Sequence, residues 1–374
     1  MSPNRWDDAL LNEMRGHGDP PADAIVAEII GRDGIARVDQ LLDSLIRNDD
    51  VVPAEMPARV RDYLYQSGTL PTWADPAQIA LGERFFNLHW PLVVTLLFCA
   101  SLPNAYSAWR GAQVLWLTKR LTGRVHRRIF ETAQFILYAM APDGLAPEGR
   151  GIRAAQKVRL MHAAMRHYIL HKPEWRAEWN MEWGVPINQE DLAGTLMTFS
   201  IQILVGMKRF RIPMEPAHEE AYLHAWKVIG HIMGVRPELL PVDVDDAFHL
   251  ATTIFNRQKG PSEAGRGLTT ALLEFMEQQT PGRLFDGFPA TIMRHAIDDD
   301  VADMLGVPPA NWTVVLLRVE LGLARLAQRL FDRPGRASWL LERFSEGLVQ
   351  ELVTLERGGN RTLFHIPTGL RAPV

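Results

Sequence analysis

The chain has 374 residues, 47% of them hydrophobic and 22% charged, a composition that fits an ordinary globular protein and excludes chain-wide disorder. Its 40 basic and 44 acidic side chains leave a formal charge of −4, so no net positive field draws in nucleic acid or an anionic membrane. Cys99 is the single cysteine, which excludes an intrachain disulfide and any thiolate cluster for zinc or iron–sulfur.

The chain begins MSPNRWDD, without the basic-then-apolar pattern of an export signal. Residues 1–75 carry short amphipathic pieces, Asp23 to Ile30 and Val38 to Arg47, broken at Val51-Val52-Pro53 and at the turn from Gly68 to Pro71. They read as an N-terminal helical extension packed on a main body over 76–374. From Asp75 onward apolar residues recur at helical spacing. The pattern predicts helices over 77–100, 106–121, 124–140, 151–171, 188–210, 215–234, 242–257, 263–279, 298–305, 309–331 and 335–357. The most apolar stretch, Pro91 to Leu102, is too short to span a bilayer and reads as a core helix. A cytoplasmic location without stable membrane insertion is the expectation. Asn188-Gln189-Glu190-Asp191 puts acids in a first helical turn, where they offset the helix dipole, and Gly234 with Pro237 closes a helix ending near Met233. Convincing two-residue alternation is scarce, and neither a GxGxxG turn after a strand nor a phosphate-binding loop occurs. The fold class is all-α, a single large helical domain with an N-terminal helical extension.

Polar side chains concentrate on two of these helices. In Arg127-Arg128-Ile129-Phe130-Glu131-Thr132, Arg128 and Thr132 are four apart and share a face. In Val158 to Arg166, the residues Arg159, His162 and Arg166 stand three and four apart among apolar or small neighbours. A helix this apolar is buried, so its two arginines need carboxylate partners. A haem would supply two propionates, an iron that takes an imidazole, and a large apolar ring. The same pattern also fits a core histidine bonded to a carbonyl, with both arginines paired to protein acids.

The chain resembles the bacterial latex clearing proteins, which are haem-b rubber oxygenases. It is also similar to the wider oxygenase family that contains the mycophenolic acid pathway enzyme cleaving a farnesyl chain. The resemblance runs from about Gly82 to Asp246. It rests on Gly82-Glu83-Arg84-Phe85-Phe86, Ser101-Leu102-Pro103, the segment from Arg127 to Thr132, and Val158 to Ala163 with Arg166 one turn on. It continues through Gly184 to Asp191 and from Tyr222 through His224, Trp226 and Gly230 to Gly234. The N-terminal extension and the last hundred or so residues match poorly. The resemblance implies a globin-like helical core around haem b. It makes His162 the axial ligand to the iron, with Arg159 and Arg166 orienting the haem or its propionates. Arg128 and Thr132 then lie on the haem-facing surface of the neighbouring helix. Two departures stand out. The rubber oxygenases have a lysine where this chain has Glu131, and their upstream catalytic glutamate has no acidic counterpart between Ala108 and Leu115. Both argue against polyisoprene as substrate, and Glu131 becomes a candidate acid or base, or a salt-bridge partner of Arg127 or Arg128.

The other histidines carry less. His167 and His171 are four apart without a third metal ligand, and His224 and His231 share one helical face in a structural role. Asp299-Asp300-Val301-Ala302-Asp303 matches the DDxxD motif of helical terpene synthases but has no second magnesium motif downstream; Asp298 to Asp300 read as a helix cap. The sequence therefore points to a haem-b-dependent oxygenase acting with dioxygen on a hydrophobic small molecule. The residues leave open whether the outcome is cleavage of an isoprenoid-like C=C bond, hydroxylation or another oxidation, and they do not identify an electron donor. The alternative is a non-catalytic carrier or sensor that binds haem or another apolar ligand.

Overall fold

The computed structural model describes residues 5–33, 48, 50–52, 56–122, 125–278, 286–315 and 317–319; for 32–33, 118–122 and 125–130 it gives the helical backbone path alone. The helices expected over Val38 to Arg47, over 335–357 and over most of 309–331 lie outside these residues. The described residues are helical, with one isolated antiparallel bridge, Ala108 to Lys259, and no strand.

The chain opens with α1 (Asp8–Arg15), α2 (Pro20–Asp33) and α3 (Ala58–Gly68). Asp7 caps α1 by accepting from the Leu10 amide at 2.8 Å. A long central rod follows: α4 (Pro76–Leu96), capped by Asp75, a π-helical turn over Leu97–Ser101, and α5 (Leu102–Ser107). Pro91 sits inside α4 and Pro103 in the first turn of α5, so two amide donors are missing along the rod. The π turn between them is completely buried. The rod Pro76–Ser107 is long and apolar enough, by length and composition alone, to cross a membrane, yet 72% of its most apolar window is buried inside the helical body. The apolar stretch Pro91 to Leu102 is thus only part of a longer helical rod, which runs on through Pro103.

The body is completed by α6 (Ala112–Thr122), α7 (Val125–Ala139), α8 (Gly151–His171), the short α9 (Pro173–Arg176), α10 (Gln189–Phe199) and α11 (Ile201–Arg209). Then come α12 (Pro216–Ile232), α13 (Val244–Gln258), α14 (Glu263–Gln278), α15 (Phe288–Ala296) and α16 (Asp299–Met304). The expected helix 188–210 is broken at Ser200, whose hydroxyl donates back to the Leu196 carbonyl at 2.8 Å and competes with the helical ladder. Helix α15 is absent from the helices expected by periodicity; Pro289 occupies its first turn, where a missing N–H costs nothing. Asp298 makes no side-chain cap on α16 and pairs with Arg209, while Asp300 pairs with Lys259 and Asp303 with Arg294. The DDxxD acids are thus ion-pair partners of the neighbouring helices.

Two apolar clusters hold the helices together. The larger joins the rod to α12 and α14 through ring contacts such as Phe85–Tyr222, with centroids 5.5 Å apart, and Phe98–Phe275, 5.8 Å apart. The smaller packs Ile25, Val26 and Ile29 of α2, with Tyr63 and Leu64 of α3, against Leu160, Ala163 and Ala164 of α8. Ala163 and Ala164 are fully buried and small, which lets the N-terminal helices approach the α8 backbone. The N-terminal segment therefore covers the back of the helix that carries His162.

Candidate functional site

Helices α5 to α8 and α10 to α13 enclose a cavity of about 320 Å³, within the range of small-molecule pockets, roughly 300–1,000 Å³. Its walls are mostly apolar, with Leu102, Phe135, Met161, Met165, Met197 and Trp226 among them. Polar groups interrupt that surface in a few places. Glu131 and Thr132 come from α7, His162 from α8, Glu190 and Asp191 from α10, and Gln258 and Lys259 from the end of α13.

His162 fits a cofactor-anchoring role on two counts. Burial, followed by the Arg166 guanidinium and partly opposed by Asp19, lowers its imidazole to about 4, so the ring is neutral at physiological pH with a lone pair to donate. Its Nδ1 is sealed from solvent and has no hydrogen-bond partner, a condition that costs about 1–3 kcal/mol unless something added satisfies the ring. No group of three or more metal-ligating side chains occurs among the described residues. A lone imidazole in an apolar cavity suits a metal that arrives with most of its own ligands, as a porphyrin iron does.

The other expected site residues divide. Glu131, 8% exposed, and Thr132 share the cavity wall with His162. Arg128 lies on α7, and its side chain is outside the described residues. Arg159 and Arg166 do not line the cavity. Arg159 donates from Nε to Asp19 Oδ2 at 2.6 Å and from Nη2 to Asp19 Oδ1 at 2.8 Å. Arg166 donates from Nε to both oxygens of Asp23, at 2.9 and 3.1 Å. In this structure the carboxylates that these two arginines bind come from the start of α2, the protein-acid pairing that the sequence pattern also allowed. Burial of α8 forces each guanidinium to find an anion, and the N-terminal segment brings two.

Glu190 and Asp191 are the first-turn acids expected of α10, and Asn188 caps the helix by accepting from the Asp191 amide at 3.0 Å. Both carboxylates nevertheless face inward. Glu190 is fully buried; its Oε2 accepts from Gln258 at 2.8 Å and from Arg15 at 3.2 Å, and its Oε1 accepts from Arg257 at 2.9 Å. Asp191 accepts from Arg15 at 3.0 Å and from Asn188 Nδ2 at 2.8 Å, and burial pushes it above the usual carboxylate range. The signal was present in the sequence: Glu190 stands three residues before Ala193 and seven before Met197, on the apolar face of α10.

Among the described residues, the other histidines stay outside the cavity wall. His224 accepts from the Asp75 amide at 2.9 Å, and Trp73 packs edge-on against both His224 and His231. His167 and His171 stack with ring centroids 4.3 Å apart.

A family profile described as the ER-bound oxygenase mpaB/B'/rubber oxygenase catalytic domain matches residues 88–329. That match runs well past Asp246, where the motifs quoted above end. The rubber oxygenase of Streptomyces sp. (strain K30) is 27% identical over 332 residues, covering 88% of this chain and 76% of its own. Among solved structures, latex clearing protein in the closed state superposes with a TM-score of 0.79 at 25% identity, covering 90% of this chain and 91% of its own.

Proposed function

The chain belongs to the mpaB and rubber oxygenase catalytic-domain family and is an oxygenase; from that premise we propose that it uses haem b, held by His162, to oxidise an apolar small molecule with dioxygen. The observation that carries this reading is the neutral imidazole of His162, with its unpartnered Nδ1, on the wall of an apolar cavity.

Bound haem would supply an iron centre at which dioxygen is activated. The chain's own side chains set the conditions around it. His162 offers a ligand lone pair that needs no deprotonation. The apolar walls exclude water and align a hydrophobic substrate without charged contacts. Glu131 and Thr132 place a carboxyl and a hydroxyl on the same wall, and these are the groups that hold or move a proton at the substrate. Arg128 is assigned to the same helix face from its spacing alone. The substrate class is a compact isoprenoid-like molecule carrying a C=C bond rather than a polymer. Glu131 in place of a lysine, and no acid between Ala108 and Leu115, separate this chain from the rubber-cleaving pattern. We place the protein in the cytoplasm, without stable membrane insertion.

His162→Ala tests the assignment. The variant keeps its helical content and loses the Soret absorbance of the haem-loaded chain; a parental spectrum overturns His162 as ligand. Incubation of the haem-loaded protein with an isoprenoid panel under labelled oxygen yields labelled carbonyl or hydroxyl products. Intact haem without any label incorporation turns the reading to a carrier or sensor.

A further inference from the structure

We propose that Asp19 and Asp23, at the start of α2, are positioning residues for His162, bracing α8 on both sides of it and balancing the charge beside its imidazole. The proposal rests on the reading of His162 as an iron ligand and extends it to the N-terminal segment.

The two acids stand four residues apart at the start of α2, and the two arginines stand seven apart on α8 with His162 between them. Asp19 is 3% exposed, and its Arg159 partner is held by two parallel hydrogen bonds, the geometry that fixes a guanidinium in direction as well as distance. The pair of acids is itself tied together: the Asp23 amide donates to the Asp19 carbonyl at 2.8 Å, and the Asp19 amide donates to Asp23 Oδ2 at 3.1 Å. Each arginine then reaches a different wall of the cavity. Arg159 Nη1 donates to the Ile232 carbonyl at the end of α12, at 3.0 Å. Arg166 Nη1 donates to the Ile187 carbonyl at 2.9 Å, and Ile187 lines the cavity.

Two glycines show how tightly the brace is built. A Cβ on Gly18 would lie 2.7 Å from Arg166 Nε, and one on Gly234 would lie 2.6 Å from Arg159 Nε and 2.7 Å from Asp19 Oδ2. The Gln189 side chain donates to the carbonyls of both, at 2.9 and 3.0 Å, and closes the frame between α2, α10 and α12. The charge arithmetic is equally specific. Two guanidiniums flank the imidazole and two carboxylates cancel them; removing one acid leaves a buried cation beside the ligand.

The test uses the haem-loaded full-length chain. Asp19→Asn is expected to weaken haem retention about ten- to a hundredfold, the scale seen when outer partners of metal ligands are lost. It is also expected to shift the iron reduction potential to more positive values, because the unbalanced Arg159 charge disfavours the oxidised metal. Asp19→Asn combined with Arg159→Gln restores electroneutrality and returns the potential toward the parental value, while a purely structural role would leave the double variant no better than the single. Asp23→Asn, at a half-exposed carboxylate, gives a milder shift of the same sign and stands in if Asp19→Asn does not fold. Unchanged affinity and potential in the aspartate variants, with His162→Ala losing its haem, overturn the brace alone. Haem retained in His162→Ala overturns the ligand assignment beneath it.

Discussion

The Arg15 guanidinium at the end of α1 donates to Glu190 Oε2, 3.2 Å away, where the glutamate side chain has no exposure to solvent and the arginine almost none. The same Arg15 nitrogen reaches Asp191, and Glu190 in turn binds Arg257 and Gln258. Truncating the shared member leaves Arg15 with Asp191 alone and Arg257 with the exposed Asp8 alone, and strips Gln258 of its acceptor. Glu190→Ala is therefore expected to destabilise the fold by about 3–5 kcal/mol, and Glu190→Gln, which keeps the shape and one acceptor, by less. Urea denaturation of the two variants measures both. Losses under about 1 kcal/mol in each would mean that water already screens this network.

Acid should weaken the protein through His162. Its folded value near 4 lies below the ordinary 6.5, because burial disfavours the imidazolium and Arg166 adds to that. Between those two values the unfolded chain takes up a proton that the folded chain refuses, so stability falls as pH drops from 6.5 toward 4, by on the order of 3 kcal/mol. Other buried histidines, such as His295, have lowered values too and add to the slope. His162→Phe isolates the single contribution: the variant's unfolding free energy loses less over that interval than the parent's. Equal slopes in parent and variant would place the His162 ring in contact with bulk water.

How much of this was readable beforehand depends on the distance over which each feature is set. Helix α8 was placed at residues 151–171, and Gly151–His171 is what forms, because its apolar run and the Lys172-Pro173 stop are local signals. Spacing put Arg159, His162 and Arg166 on one face of α8; it was the family resemblance that singled out His162 and Thr132, and Glu131 stood out as a departure from that family's pattern. The need of Arg159 and Arg166 for carboxylates was also legible, but their partners lie 140 and 143 residues away in the chain, and no periodicity reports that pairing. Glu190 was legible as a first-turn acid but its burial was not, because only the packing of α1 and α13 against α10 removes it from solvent. Residues 1–75 were legible as an extension packed on the main body; that Asp19 and Asp23 within it stand against the helix that carries His162 was not.

Two glycine-to-alanine changes should act in opposite directions. Gly234 has a φ of +83°, where an L-residue is strained, and an added Cβ would meet Arg159 and Asp19. Gly234→Ala is expected to cost about 2 kcal/mol or more. Gly31 lies within α2 with nothing inside 4 Å of its would-be Cβ, so Gly31→Ala is expected to stabilise by about 0.5–1 kcal/mol through helix propensity and a stiffer unfolded chain. Thermal unfolding of both variants beside the parent decides the matter. A destabilised Gly31→Ala would contradict the open space recorded there.

Cys99 provides a clean report on the central rod. It sits in the π-helical turn with no exposure, and burial alone pushes its thiol far above the ordinary cysteine range. A thiol that is neither ionised nor reachable does not alkylate, because the thiolate is the nucleophile. Reaction with iodoacetamide at neutral pH should be negligible in the folded protein and rapid in denaturant. The rate at intermediate urea should then follow the global unfolding curve, since Leu97–Ser101 is flanked on both sides by buried helix that must open with it. Rapid labelling in native buffer would show instead that the turn opens by itself. In that case the wall formed by Leu102 and Asn104, which follow it directly and line the cavity, would be a moving part rather than a fixed one.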